Sequence, residues 1–402
     1  MLTGRGLAGG LLASVALAAC SMAPSTGTAA SPAVSRPMSA SPMSSSAEPT
    51  RTTEDVVTRA LRTMTLDQRV GQLFMVGGPA TGVGAATRTA VTRYHVGNLM
   101  LTGRSAAGVE ATAKVVSGMR SRATRQATAG VPLLVATDQE GGAVQVLRGR
   151  GFSAIPSGRA QGGWSPATLR SGAALWGRQL HAAGVDLNLA PVADTVPSLA
   201  ATRGNAPIGR FARELGLRPN DVAAHAMAFT QGMADGGVAT TAKHFPGLGR
   251  VTGNPDLTSG VTDRVTTRGD AYLEPFARAI TAGVPFVMMS TAYYSRIDPG
   301  RPAAFSPIVI GQMLRGDLGF DGVVISDDLG GARQVAAWSP GQRALRFIDA
   351  GGDLVLTVDP KALPAMYRAV LVRAQTDAAF RARVNASATR ILRAKQAQGL
   401  LR

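Results

Sequence analysis

The stretch DVAAHAMAFTQGMADGGVATTAKHFPG, residues 221–247, holds in miniature the pattern that decides the fold. Apolar residues recur at helical spacing through 221–234, two glycines follow, and a short apolar run at 238–243 ends in Lys243-His244-Phe245-Pro246-Gly247. A helix feeding a strand-length run, with polar groups collected where the run stops, reads as one repeat of an alternating α/β chain.

Outward from it, similar runs lie at 70–77, 96–101, 131–137, 185–192, 284–290, 322–326 and 353–358. They are continuous rather than alternating, as strands covered on both faces should be. The pieces between them, for example 110–122, 166–183 and 364–375, are long enough for crossover helices. About eight such repeats without a break in composition predict a (β/α)8 barrel forming a single domain over 54–402. A doubly wound open sheet fits the same string less well, and no second domain or short-period repeat is visible.

Length and composition agree. The 402 residues suffice for a large core, and 45% hydrophobic, 17% charged and 48 Gly suit a loop-rich globular protein. The net charge of +17, from 42 basic and 25 acidic residues, would suit an anionic neighbour. The arginines are scattered without aromatic interleaving, however, which argues against nucleic acid. Lysine occurs only at 114, 243, 361 and 395, so each position merits attention.

Residues 1–20 place Arg5 before an apolar segment and end in the only cysteine, Cys20. That is a secretion signal, too short for a retained span. Leu17-Ala18-Ala19-Cys20 resembles the lipobox of bacterial lipoproteins, implying lipidation at Cys20 and an exported, membrane-anchored protein facing away from the cytoplasm. Residues 21–53 are rich in Ser, Ala, Pro and Thr with few large apolar side chains, and read as a flexible tether.

A barrel collects function at the C-terminal ends of its strands. Five predicted ends carry polar groups: Asp138-Gln139-Glu140-Gly141-Gly142, Asp194, Lys243-His244, Ser290, and Ser326-Asp327-Asp328. The four histidines, at 95, 181, 225 and 244, lack metal-site spacing, so no metal is expected, and His181 and His225 receive no role. No GxSxG elbow or GxGxxG fingerprint is present. Glycoside hydrolysis needs a carboxylate nucleophile, a nearby proton donor and groups that hold sugar hydroxyls. Asp327 suits the nucleophile, Lys243 and His244 can donate to hydroxyls, and Asp138 can accept from two of them. Taken singly, each also fits a rim ion pair or a helix cap, and for Asp328 the cap is preferred.

Three segments together, Asp138 to Gly142, Lys243 to Gly247, and Gly319-Phe320-Asp321-Gly322-Val323-Val324-Ile325-Ser326-Asp327-Asp328-Leu329, resemble the signatures of glycoside hydrolase family 3, in particular its single-domain bacterial β-N-acetylhexosaminidases. The resemblance covers roughly 66–397. It implies a retaining mechanism without metal or organic cofactor, Asp327 as nucleophile, and Asp138, Lys243 and His244 as residues that grip the sugar. It also implies a substrate-binding arginine in Asn205-Ala206-Pro207-Ile208-Gly209-Arg210-Phe211, which points to Arg210, with Arg213 competing.

Two departures stand out. The family's arginine after the first motif is Ala143 here, with Arg148 as a possible substitute. The Asp-Ser-His dyad that supplies the proton in this branch is absent. The loop 245–263 is rich in Gly and Pro and reads as a long lid, in which Asp256 is the one central carboxylate and the candidate general acid/base once closure desolvates it. The sequence therefore points to an exported exo-glycosidase releasing β-linked N-acetylglucosamine from peptidoglycan fragments. The alternatives are a sugar-binding lipoprotein without efficient turnover and a β-glucosidase or β-xylosidase. Oligomeric state is not legible.

Overall fold

The computed structural model describes residues 55–82 and 84–402, all within one compact unit, Thr53–Arg402. The segments read as signal peptide, lipidated Cys20 and tether lie outside the described residues.

Eight parallel strands form the centre: β1 (Phe74–Pro79), β2 (Asn98–Thr102), β3 (Leu134–Thr137), β4 (Leu187–Asn188), β5 (Ala239–Phe245), β6 (Phe286–Met289), β7 (Val323–Ser326) and β8 (Val355–Thr357). Their order around the sheet is β7-β6-β5-β4-β3-β2-β1-β8. A parallel bridge between Ile325 and Leu354 joins the two ends, so the sheet closes into the expected (β/α)8 barrel. Crossover helices cover it outside, including α1 (Gly108–Arg120), α2 (Pro166–Ala182), α3 (Pro219–Asp235) and α4 (Leu363–Thr376). The Ser165 side chain caps α2 and Pro166 opens it, as their chemistry dictates.

The apolar runs bury as predicted: Val323, Val324 and Ile325 of β7 are at most 1% exposed, and on this strand polar side chains begin only at Ser326, where it emerges. One run differs. Val70 belongs to a helix, Leu66–Gln72, opened by a capping box between Thr65 and Gln68, and the strand starts only at Phe74. At the opposite end from the strand C-termini, the buried ammonium of Lys395 donates to Gln72 Oε1 (2.7 Å), Gly97 O (2.8 Å) and Pro132 O (3.0 Å). The C-terminal helix is thereby fastened to the barrel floor.

The loop 245–263 departs from the predicted lid. Thr262–Asp263 pairs with Tyr293–Tyr294, Val251 and Val261 are buried, and Asn205 Nδ2 donates to Leu248 O and Val251 O, both at 2.8 Å. Exposure within the loop is confined to Thr252 and the tip, 256–260. Asparagine and glutamine side chains can satisfy backbone groups that an irregular loop leaves unpaired, so a Gly-rich segment can be held as firmly as a regular element.

Candidate active site

Lys243 and His244 lie near the end of β5, where its pairing to β6 jumps from Lys243–Met288 to Phe245–Met289. His244 is the residue left out of the ladder, and such an irregularity re-aims a side chain. Buried Lys243 Nζ lies 2.6 Å from Asp138 Oδ1 and 2.6 Å from Glu140 Oε1, joining the ends of β5 and β3. Arg213, from the loop after β4, grips Glu140 in bidentate fashion at 2.8 and 2.7 Å and anchors on Pro207 O at 2.8 Å.

The charges in this cluster sustain one another. Burial works against ionisation of Glu140, but Arg213 and Lys243 overcome it and hold the carboxyl at about 2. Burial likewise disfavours the Lys243 ammonium, and Asp138 and Glu140 outweigh it, so its pKa lies above the ordinary value. Arg213 moves upward against burial for the same reason, chiefly through Glu140. Glu140 is thus the keystone that fixes two cations at the mouth.

His244 has a second support. Fully buried Asp194, after β4, accepts from His244 Nδ1 (2.7 Å), His244 N (3.1 Å) and Leu248 N (2.7 Å). With Nδ1 engaged, Nε2 is the atom the ring has left for other partners.

Asp327 follows β7 directly and is half-buried. Its backbone N–H donates to Met289 O (3.2 Å), and its Oδ1 accepts from Asp328 N (2.9 Å). Asp328 takes the predicted capping role: Oδ1 accepts from Gly330 N (2.9 Å) and Val358 N (3.0 Å), and Oδ2 from Gly331 N (3.1 Å). Asp256 is on the loop tip within electrostatic reach of Asp327. Surrounding protein disfavours its charged form, the negative charge of Asp327 adds to this, and the two push its pKa up to about 7, against the opposing pull of His244 and Arg213. The tip remains open to water, which gives the carboxyl a route for proton exchange.

Of the residues singled out from sequence, the structure brings Asp138, Lys243, His244, Asp256 and Asp327 together. Arg210 is corrected: it is exposed and donates to Arg203 O (3.2 Å), whereas Arg213 enters the cluster. The cause is local. The one-turn helix Gly209–Phe211 ends at Ala212 in the left-handed region (φ 52°), which redirects the chain before Arg213. Arg148 braces the turn after β3 through Gly142 O (2.9 Å) and Gln145 O (3.4 Å). His181 is exposed, and His225 is occupied by Asp221 O and Trp164 O. Glu140 and Asp194 received no role from sequence, although each stands at a predicted strand end. Among the described residues, no group of three His, Cys, Asp or Glu side chains is placed to hold a metal ion.

A closed barrel with two unlike carboxylates above a cation-braced cup at its mouth defines a glycosidase-type site. Comparison with known proteins agrees: residues 65–394 match the glycosyl hydrolase family 3 N-terminal domain, and the chain belongs to that family as an O-glycosyl hydrolase. It is 36% identical over 289 residues to a beta-hexosaminidase of Stenotrophomonas maltophilia (strain K279a), covering 67% of this chain and 83% of the relative. A Xylella fastidiosa (strain 9a5c) beta-hexosaminidase is 39% identical over 268 residues, covering 65% and 77%. Among solved structures, a beta-N-acetylhexosaminidase from Beutenbergia cavernae DSM 12333 superposes with a TM-score of 0.82 at 55% identity, covering 83% of this chain and 99% of that one.

Proposed function

We propose that this chain is a retaining exo-β-N-acetylhexosaminidase that releases terminal N-acetylglucosamine from peptidoglycan fragments while anchored to the membrane through Cys20. The observation that carries the mechanism is the placing of Asp256 near enough to Asp327 for that negative charge, together with burial, to favour the protonated form of Asp256.

In the first step Asp327 attacks the anomeric carbon while protonated Asp256 gives its proton to the departing glycosidic oxygen, and a glycosyl ester forms on Asp327. In the second step ionised Asp256 takes a proton from water, the resulting nucleophile attacks the same carbon, and Asp327 leaves. Two displacements retain configuration. Lys243, His244, Asp138 and Arg213 hold the sugar hydroxyls, and the negative charge of Asp256 in the second step favours water over phosphate as acceptor. The hexosaminidase names of the relatives support N-acetylglucosamine as the sugar.

A slow-reacting fluorosugar followed by peptide mass mapping should label Asp327, and NMR of the first-formed product should show retained configuration. Label elsewhere, or inversion, would end the reading. The general-acid role predicts that Asp256→Ala lowers kcat/KM by ~10²–10⁴-fold for poor leaving groups and far less for activated aryl glycosides. The anchor rests on the Leu17-Ala18-Ala19-Cys20 pattern. Cys20→Ser should move the protein from the membrane fraction to the soluble one, and unchanged membrane association would refute lipidation there.

A further inference from the structure

The dyad familiar in this branch of the family is missing, so something else must hold the substitute acid in place. The tip that carries Asp256 has little packing of its own: residues 256–260 are exposed, and Leu257 is 76% exposed. Its internal bonds are those of a turn closed on Asn254, whose Oδ1 accepts from Asp256 N (2.9 Å) and whose carbonyl accepts from Leu257 N and Thr258 N. Such bonds shape the tip without fixing where it stands relative to Asp327.

The fixing contacts come from the segment that follows Asp327. The one-turn helix Arg333–Val335 donates from Gln334 N to Pro255 O (3.0 Å) and from Arg333 N to Asp256 O (3.2 Å). At the far end of the tip, the Gln334 side chain pairs with a single residue in both directions. Its Nε2 donates to Val261 O (2.9 Å), and its Oε1 accepts from Val261 N (3.0 Å). Gln334 is 4% exposed and Val261 6%, so these bonds are shielded from competing water. Val261 O also accepts from Tyr293 N (3.0 Å), so the Gln334 amide adds a second donor to that carbonyl and gives the Val261 N–H its acceptor, and an amide is the side chain that offers donor and acceptor together at this length.

We propose that Gln334 is a positioning residue that clasps the acid-bearing tip to the segment following the nucleophile, so that Asp256 and Asp327 are presented as one unit. This rests on the reading of Asp256 as the general acid. The clasp grips 255–256 and 261, bracketing the tip, while the carboxyl group of Asp256 stays free for proton transfer. It also ties both carboxylates to the region after β7, so their separation does not depend on the long path through the loop. The acid is therefore held in position before sugar arrives, rather than carried in by closure of a free lid.

The test uses two variants of the full chain. Gln334→Met keeps the volume and removes both side-chain bonds to Val261 while leaving the backbone bonds to Pro255 O and Asp256 O in place, and Gln334→Glu keeps the acceptor and removes the donor. Melting temperature and stoichiometric fluorosugar labelling of Asp327 establish that each variant folds with its nucleophile intact. kcat/KM is then measured on β-N-acetylglucosaminides with an alkyl and with a 2,4-dinitrophenyl leaving group, beside Asp256→Ala. Misplacing a reacting group by about 1 Å can cost about 10²-fold, so Gln334→Met should lose about that much on the alkyl substrate and less than about 3-fold on the activated one. Gln334→Glu should behave alike. Equal loss on both substrates, or none on either, overturns the positioning role while Asp256→Ala still discriminates between leaving groups. If Asp256→Ala itself does not discriminate, the acid assignment falls first and the inference falls with it.

Discussion

Replacing Glu140 with Gln tests whether the cup is held by charge. The carboxyl is 6% exposed, accepts two bonds from Arg213 and lies 2.6 Å from Lys243 Nζ. Its pKa falls from the ordinary 4.5 to about 2. At about 1.4 kcal/mol per tenfold change in proton affinity, that difference corresponds to about 3 kcal/mol of folding free energy contributed by the ionised form. Breaking a buried ion pair from one side costs about 3–5 kcal/mol, which is of the same size. Because the folded-state pKa is depressed, the contribution is complete above about 4.5 and disappears as the pH drops toward 2. Urea unfolding of the wild type and Glu140→Gln should therefore differ by about 3 kcal/mol at pH 7, with the gap closing as the pH is lowered through 4.5 toward 3. Activity should fall too, through a higher KM, since Lys243 and Arg213 lose their common anchor. A gap below about 1 kcal/mol at pH 7, or one that does not change with pH, would refute the keystone argument.

Other expectations follow from the same geometry. Asp256 must be protonated to donate, and its pKa is pushed up to about 7, so kcat/KM should fall as the pH rises through neutrality. That alkaline limb should vanish in Asp256→Asn assayed with an activated aryl substrate, and its persistence would assign it to another group. Because Asp327 contributes to the upward shift, Asp327→Asn should lower the Asp256 pKa, a change readable by carbon-13 NMR of the labelled carboxyl. Arg213→Ala should reduce kcat/KM by about 10²-fold or more, while Arg210→Ala should leave it within about 2-fold; the reverse order would restore Arg210 as the binding residue. Asn205→Ala removes bonds to Leu248 O, Val251 O, Ile208 N and Gly209 N, all shielded from solvent. At about 1–3 kcal/mol for each polar group left unsatisfied, thermal unfolding should show a loss of at least about 3 kcal/mol.

The architecture was legible because burial on both faces leaves strands as uninterrupted apolar runs, and because a barrel gathers polar residues at one end of them. The run at 238–243 falls on β5 from Ala239 onward, and Lys243, His244, Asp138 and Asp327 were found by standing at strand ends. The run at 70–77 was partly misread, since an apolar helix turn and an apolar strand look alike over a few residues. The capping box at Thr65 and Gln68 was the available signal.

Sequence alone determined the barrel, the family's three motifs and most of the polar residues at the mouth, because each depends on residues adjacent in the chain. Tertiary structure chose Arg213 over Arg210, made Glu140 the anchor of two cations, and turned the supposed lid into a clasped loop. Those outcomes depend on partners brought together across distant segments: Arg213 meets Glu140 across 73 residues, and Gln334 meets Val261 across the same number. A loop without periodicity gives no rule for where such side chains point, and only the closed barrel sets which of them meet.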